Sequence, residues 1–113
     1  MSINGKGCGF NPQNIAELPE EPGVFEFSQY NFVTYIGSAD TSLRATLKRH
    51  LDGLEGFCTV ATTWVKYEVA PADRVGAYEN ELLEEFRATH GQLPRCNDLS
   101  SWEPAGPSGV RGE

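Results

Sequence analysis

One acidic residue of this sequence stands where an apolar residue is expected, and its position suggests chemistry. Between about residue 73 and residue 90, apolar side chains recur at helical spacing: Val75, Tyr78, Leu82, Leu83 and Phe86. Glu79 falls within this stripe, on the side of the predicted helix that should face the core. Burial of an unpaired carboxylate is costly. Three interpretations are open: an edge residue whose carboxylate reaches solvent, a structural ion pair, or a carboxylate held in a cleft to bind a cation.

Basic residues are concentrated on a second predicted helix. The N-cap formers at residues 40–42 and the leucines that follow at helical spacing predict a helix from about Ser42 to Leu51, ending near Gly53. Three of the nine positive charges lie on this helix beside one of the two histidines: Arg44, Lys48, Arg49 and His50. This is the one basic patch of the sequence. It is the segment in which an otherwise acidic chain can attract nucleic acid.

Composition limits the partners and the compartment that we expect. Sixteen acidic residues against nine basic ones give a net charge of −7, so we expect the chain alone to bind DNA weakly. No apolar run is long enough to cross a bilayer and the first residues do not resemble a signal peptide, so we expect a cytoplasmic protein with no membrane association. Cys8, Cys58 and Cys96 form no CxxC pair, and we expect reduced thiols rather than a disulfide or a zinc site.

The pattern along the chain predicts one α+β domain over residues 11–99. Residues 1–10 are glycine-rich and expected to be flexible, and residues 100–113, which include Trp102, are rich in Pro, Gly and Ser and expected to be disordered. Between them we predict a short helix from Asn11 to about Glu17, strands at Gly23–Phe27, Phe32–Gly37 and Thr62–Val69, and the two helices above, the last capped by Gly91. Alternation predicts that Phe25 and Phe27 share one face of the first strand, and that Val33 and Tyr35 share one face of the second.

The paired strands carry motifs that resemble those of the GIY-YIG nuclease superfamily. The two signature tripeptides are represented by GVF (Gly23, Val24, Phe25) and YIG (Tyr35, Ile36, Gly37). The lead-in LPEEPGVF resembles the start of the N-terminal nuclease module of the bacterial excision-repair endonuclease. The run YIGSADTSLRATLKRHL, Glu79 in AYENELLEEF and Asn97 in LPRCN complete a resemblance that covers about residues 15–98.

The resemblance implies a fold, an activity and a set of site residues. The fold is a small three-stranded antiparallel sheet flanked by helices, and the activity is metal-dependent hydrolysis of DNA phosphodiester bonds. Glu79 would hold a divalent cation, Mg²⁺ or Mn²⁺, and Tyr35 would help to activate water. Asn97 would be an orienting group, and His50 matches a helix histidine that assists proton transfer in some branches of the superfamily.

Two positions depart from the superfamily pattern. Phe25 replaces the first signature tyrosine, so the ring is kept and the hydroxyl is lost. Thr46 stands where the resemblance places the catalytic arginine. At about 100° per residue, Arg49 projects close to Thr46 and is the better substitute, whereas Arg44 projects from the opposite edge of the leucine stripe.

Three functions are therefore compatible with the sequence. The first is a divergent nuclease, the second a catalytically inactive descendant that binds DNA or a protein, and the third a small protein-interaction domain whose acidic face and Trp102 contact a partner. Each site residue also has a structural interpretation: Tyr35 as a strand tyrosine packed on the sheet, His50 as a solvated histidine at a helix end, and Asn97 as a turn residue.

Overall fold

The computed structural model describes residues 5–56 and 58–99, without the side chains of Asp98 and Leu99, so the tail at residues 100–113 lies outside the described residues. The elements follow in the order β1 (Lys6–Gly9), α1 (Pro12–Ile15), β2 (Gly23–Gln29), β3 (Phe32–Ala39), α2 (Leu43–Leu51), β4 (Trp64–Val69), α3 (Val75–His90) and α4 (Arg95–Leu99). The α+β class and the order of the predicted elements are confirmed.

The sheet has four strands, whereas the sequence predicted three. All pairings are antiparallel and the order is β1-β4-β2-β3, so β3 is an edge strand. The additional strand, β1, lies in the segment that was expected to be flexible. Its glycines permit this pairing: a Cβ atom on Gly7 would lie 2.6 Å from Nε1 of Trp64 on the neighbouring strand. The glycines that suggested flexibility are the residues that let β1 approach β4.

The hairpin of β2 and β3 sets which residues meet at the centre of the sheet. Phe25 pairs with Gly37 and Phe27 pairs with Tyr35. The register shifts after Phe27 because β3 carries a bulge there. As a consequence Tyr35 packs against the cluster on one face, whereas Val33 packs against the cluster on the other. The prediction that Val33 and Tyr35 share a face is wrong.

Helices cover both faces of the sheet. The larger core includes the rings of β2 and the leucines of α2, and its buried members are Phe10, Ile15, Leu18, Phe25, Phe27, Ala39, Leu43, Leu47 and Val65. The smaller core lies under α3 and is formed by Val24, Ile36 and Leu82. The edge strand β3 contacts α2, α3 and α4, so side chains from all three helices can meet around it.

Cap residues define the start of α2 and the end of α3. Ser42 Oγ accepts a hydrogen bond from the backbone N–H of Ala45 and opens α2. Gly91 ends α3 in the left-handed conformation, with φ 83°, and its N–H donates to the carbonyl of Arg87. No described helix is long and apolar enough to cross a membrane.

Two of the three cysteines form a disulfide, which corrects the expectation of reduced thiols. Cys58, in the loop between α2 and β4, is bonded to Cys96 of α4, with their Cα atoms 5.6 Å apart. The two residues are 38 positions apart in sequence, and the fold alone brings them together. Cys8 is the free cysteine.

Candidate active site at the edge of the sheet

Phe25 forms the buried base of the region where the signature motifs meet. It is 1% exposed, and its ring centroid lies 5.6 Å from that of His50 and 6.1 Å from that of Tyr35. Gly37, opposite Phe25, has no space for a side chain, because a Cβ atom there would lie 2.7 Å from Tyr35 Cε2 and 2.8 Å from Phe25 Cζ. The aromatic and glycine positions of the two motifs are therefore coupled by packing, and Phe25 meets this requirement without a hydroxyl.

Tyr35 projects from β3 into the same cluster and is half-buried. Burial raises the pKa of its phenol, and the negative charges of Glu79 and Glu55 raise it further. Tyr35 is consequently a neutral phenol at pH 7. It packs on the sheet, as its structural interpretation required, and it also lies within the electrostatic reach of two carboxylates.

His50 is buried at 4% exposure, so the interpretation as a solvated helix-end histidine is wrong. Its ring centroid is 5.4 Å from that of Tyr35 and 5.0 Å from that of Phe27. Nδ1 lies 2.9 Å from Oγ1 of Thr59. Burial lowers the pKa of His50 to about 4, with Glu55 opposing this shift and Arg49 adding to it, so the imidazole is neutral at pH 7.

Glu79 is half-buried on α3, and Ser38 Oγ donates a hydrogen bond of 2.5 Å to its Oε1. Within the described part of the chain its partner is this hydroxyl rather than a basic group, which argues against the structural ion pair. Among those same residues, no group of three or more His, Cys, Asp or Glu side chains is placed to hold a metal ion. A cation at this site would therefore be held by Glu79 with no more than one further side chain of these types from the described residues.

The two candidate arginines lie in different places. Arg49 is exposed, and its Nε donates to Glu55 Oε2 at 2.6 Å, close enough to His50 to affect its pKa. Arg44 donates instead to the carbonyl of Leu18 at 2.8 Å and forms an ion pair with Glu20.

Arg44 also lines a pocket with Lys6 and Tyr67. Thr46 is half-buried, one turn before His50 on α2. Arg49 is thus beside the candidate site, and Arg44 is not among the residues brought together there.

Asn97 binds the backbone of the edge strand. Its Oδ1 accepts from the N–H of Ile36 at 2.9 Å, and its Nδ2 donates to the carbonyl of the same residue at 2.8 Å. Ile36 is the central residue of the YIG motif. Asn97 is therefore more than a turn residue: it fixes the segment that carries Tyr35 and Gly37, and it joins α4 to β3.

Sequence analysis did not identify the hydrogen-bond partners of Glu79, Arg49 and His50. These partners are Ser38, Glu55 and Thr59, respectively. Ser38 directly follows the YIG motif, and a hydroxyl at that point was an available signal. Glu55 and Thr59 lie in the irregular loop between α2 and β4, where no periodicity indicates which side chains turn towards the sheet.

Together, the described side chains place a neutral imidazole, a protonated phenol and a carboxylate around the edge strand β3. A neutral imidazole can accept a proton, a phenol can relay one, and a carboxylate can bind a cation. We refer to Tyr35, His50, Glu79 and Asn97, with Phe25 at their base, as the edge site.

The fold and the edge site define the class of domain: the chain resembles the GIY-YIG nucleases and has their fold. The GIY-YIG N-terminal endonuclease domain of UvrC from Thermotoga maritima, bound to its catalytic divalent cation, magnesium, aligns with a TM-score of 0.58 and 25% sequence identity, covering 66% of this chain and 88% of that one. A tyrosine-to-phenylalanine point variant of that domain, also bound to the cation, aligns with a TM-score of 0.59 and 26% identity, covering 66% and 87%. No protein-family model matches the sequence, and neither does any curated protein.

Proposed function

We propose that this chain is a divergent GIY-YIG-type DNA endonuclease that hydrolyses phosphodiester bonds with the help of a divalent cation, Mg²⁺ or Mn²⁺. The observation that most supports the proposal is the convergence of Tyr35, His50 and Glu79, which come from three different elements. The ring of Tyr35 is 5.4 Å from that of His50, and the charge of Glu79 acts on its hydroxyl. Packing alone would be satisfied by three apolar side chains.

His50 is the proton acceptor in this proposal. With a pKa of about 4 its imidazole is neutral at pH 7 but only a weak base, and when Nδ1–H donates to Thr59 Oγ1, Nε2 carries the free lone pair. Tyr35 stays a phenol because its pKa is raised. Its hydroxyl orients the attacking water, accepts a proton from it and passes its own proton towards His50. Tyr35 thereby takes the role of the hydroxyl that Phe25 lacks.

Glu79 is the residue that would hold the cation. A half-buried carboxylate with one oxygen fixed by Ser38 suits a hard cation such as Mg²⁺, which keeps most of its water ligands and needs only one or two carboxylates. When bound, the cation supplies positive charge that neutralises the phosphate. The Thermotoga maritima domain binds a divalent cation in its wild-type form and in tyrosine-to-phenylalanine variants, so the loss of one tyrosine hydroxyl is compatible with cation binding there.

Arg49 and Asn97 complete the proposed site. Arg49 would leave Glu55 and contact a phosphate of the DNA, because a solvent-exposed ion pair contributes little stability. Asn97 acts as a positioning residue, since its two hydrogen bonds to Ile36 hold the segment that carries Tyr35. The proposed substrate is DNA, and the resemblance favours a role in DNA repair.

A second function is a catalytically inactive domain that binds DNA or a protein partner. Phe25 and Thr46 favour it, because each lacks a group that the superfamily pattern supplies for chemistry. The burial of His50 also favours it, since only 4% of this residue reaches solvent and a bound substrate must come close to the ring. In this case Glu79 has no catalytic part and its loss should leave binding unchanged.

Cleavage assays with a charge-matched pair of variants separate the two functions. Purified protein is incubated with supercoiled plasmid and with branched and flapped DNAs in Mg²⁺ or Mn²⁺, alongside Glu79→Gln and the control Glu81→Gln. Glu81 is exposed on the same helix, so both variants lose one negative charge from α3. Cleavage by wild type and Glu81→Gln but not by Glu79→Gln supports the nuclease. Absence of cleavage, or equal cleavage by all three, contradicts it.

A further inference from the structure

The Cys58–Cys96 disulfide joins the two segments that hold the edge site from outside the sheet. Cys58 lies in the loop between α2 and β4, and Cys96 lies in α4. The residue that follows Cys58 contacts His50 of the edge site, and the residue that follows Cys96 is itself a member of the edge site. These residues are Thr59, which is 3% exposed, and Asn97, which is half-buried.

On the loop side, Thr59 holds His50. The distance from Thr59 Oγ1 to His50 Nδ1 is 2.9 Å, and both side chains are buried. This contact engages Nδ1 and leaves Nε2 as the other imidazole nitrogen for a substrate. The loop itself is irregular and contains Gly53 and Gly56 with positive φ values of 79° and 107°. The position of Thr59 therefore depends on what anchors the loop.

On the helix side, Asn97 holds the centre of the YIG motif through its two hydrogen bonds to Ile36. Helix α4 has five residues, which is too short to be stable without tertiary contacts. Cys96 is 2% exposed, so the disulfide attaches this helix to the loop through a buried side chain. One covalent bond thus supports the Thr59–His50 contact and the Asn97–Ile36 contact at the same time.

We propose that Cys58 and Cys96 are positioning residues, and that thiol–disulfide exchange at this pair sets the activity of the edge site. The inference rests on the proposed nuclease function. With the disulfide formed, one covalent bond fixes both the loop that contacts His50 and the helix that contacts the strand of Tyr35. With the disulfide reduced, the loop and α4 move independently and the two groups lose their fixed geometry.

The exchange uses a low-molecular-weight disulfide such as glutathione disulfide as the oxidant. The two protein thiols give up two electrons and two protons, one S–S bond forms between Cys58 and Cys96, and two glutathione thiols are released. In the reverse direction a glutathione thiolate attacks one sulfur, and a second thiolate resolves the mixed disulfide. The attack falls on Cys58, because this residue is half-buried whereas Cys96 is enclosed.

The test compares four forms of the full chain: the oxidised wild type, the wild type reduced with a phosphine, Cys58→Ser/Cys96→Ser, and Cys8→Ser. The Cys8→Ser control removes the free thiol and keeps the pair. Thiol alkylation followed by mass measurement gives the redox state after treatment with glutathione disulfide. Hydrogen exchange at the Ile36 amide and the NMR signals of the His50 ring report the two contacts without DNA. Plasmid cleavage in Mg²⁺ reports activity.

We expect the Ile36 amide to exchange about tenfold faster after reduction and the His50 ring signals to shift. We expect kcat to fall by roughly 10- to 100-fold, with KM changed much less, because a displacement of about 1 Å is enough for such a loss. The double variant should behave as the reduced protein does and ignore the reductant, and Cys8→Ser should respond as the wild type does.

The results separate this inference from the proposed function. Faster exchange on reduction without cleavage by either form supports the positioning by the disulfide and counts against the nuclease. Cleavage that is equal in both redox states, with unchanged exchange at Ile36, overturns the inference and leaves the nuclease in place. Two alkylated thiols at Cys58 and Cys96 after treatment with glutathione disulfide also overturn it.

Discussion

At residue 25 a phenylalanine provides the shape of the signature tyrosine without its chemistry. The ring fills the space beside Gly37 and contacts His50, so the position is constrained by packing whatever the activity. The hydroxyl group that remains among these rings belongs to Tyr35. The acid–base work of the proposed reaction therefore depends on the protonation of Tyr35 and His50, and both are governed by burial.

The burial of His50 makes stability depend on pH. Its pKa is about 4 in the folded chain and near the ordinary value of 6.5 in the unfolded chain, so the unfolded state binds more protons between these values. Stability should be fully present above pH 6.5 and fall as the pH is lowered towards 4, with a loss of about 3 kcal/mol from this residue. Urea unfolding at a series of pH values measures it.

Carboxylates also titrate near the lower end of this range, so the contribution of His50 is obtained by comparing the wild type with His50→Gln. The variant should lose less stability than the wild type between pH 6.5 and 4, even if it is less stable at pH 7. Parallel curves for the two proteins would mean that His50 is not held neutral by the fold.

Asn97 has a structural contribution that can be measured apart from any activity. Asn97→Ala removes two hydrogen bonds to the backbone of Ile36 and should lower the free energy of unfolding by about 2 kcal/mol. Asn80→Ala is the matched control, because Asn80 is exposed on α3 and alanine favours a helix. Urea unfolding of both variants, with hydrogen exchange at Ile36, tests this. An equal small effect of both changes would contradict the assignment.

At the scale of elements, local signals predicted most of the fold and non-local contacts account for what was missed. The hairpin, α2 with its Ser42 cap and α3 with its Gly91 cap follow from periodicity and capping residues that act within a few positions. Strand β1 was missed because its glycines are informative only next to Trp64. The bulge that separates Val33 from Tyr35 depends on pairing with β2, and the Cys58–Cys96 bond depends on the whole fold.

The candidate site divides in the same way. Glu79 was proposed because it interrupts an apolar stripe, and His50 because it lies on a predicted basic helix and matches a helix histidine of the superfamily. Their partners Ser38 and Thr59 were not identified, because each contact joins two separate segments of the chain and the residue pattern of neither segment predicts it. The burial of His50 was likewise hidden, because it depends on rings contributed by β2 and β3.

The hairpin pairing of Phe25 with Gly37 predicts a sharp response to one added methyl group. In Gly37→Ala the new Cβ atom would lie 2.7 Å from Tyr35 Cε2 and 2.8 Å from Phe25 Cζ, so the rings or the strand must move. We expect a loss of about 1–3 kcal/mol in the free energy of unfolding. Thermal or urea unfolding measures it.

The control for this change is Gly76→Ala on α3, where the added Cβ atom meets no atom within 4 Å. Alanine at an exposed helical position should raise stability by up to about 1 kcal/mol relative to glycine. The two Gly→Ala changes should thus have opposite signs. A stable Gly37→Ala protein with unchanged ring contacts would show that the two motifs are not coupled through this glycine.

At the scale of the whole molecule, the net charge of −7 opposes the proposed binding of DNA, which would therefore depend on the basic residues beside the edge site. Arg49 is beside His50 but is already paired with Glu55. A phosphate must therefore compete with a carboxylate of the same chain. This arrangement makes Glu55 an internal competitor of the proposed substrate.

Glu55→Gln should consequently strengthen DNA binding, by about three- to tenfold at low salt, with a steeper dependence of the binding constant on salt as Arg49 gains a phosphate contact. Glu84→Gln is the matched control, because it removes the same charge from another exposed ion pair, with Arg87 on α3. Fluorescence anisotropy with a labelled duplex over a range of salt concentrations measures both. An equal gain for the two variants would assign the effect to net charge alone, whereas a larger gain for Glu55→Gln places the DNA backbone at the C-terminal end of α2, next to the edge site.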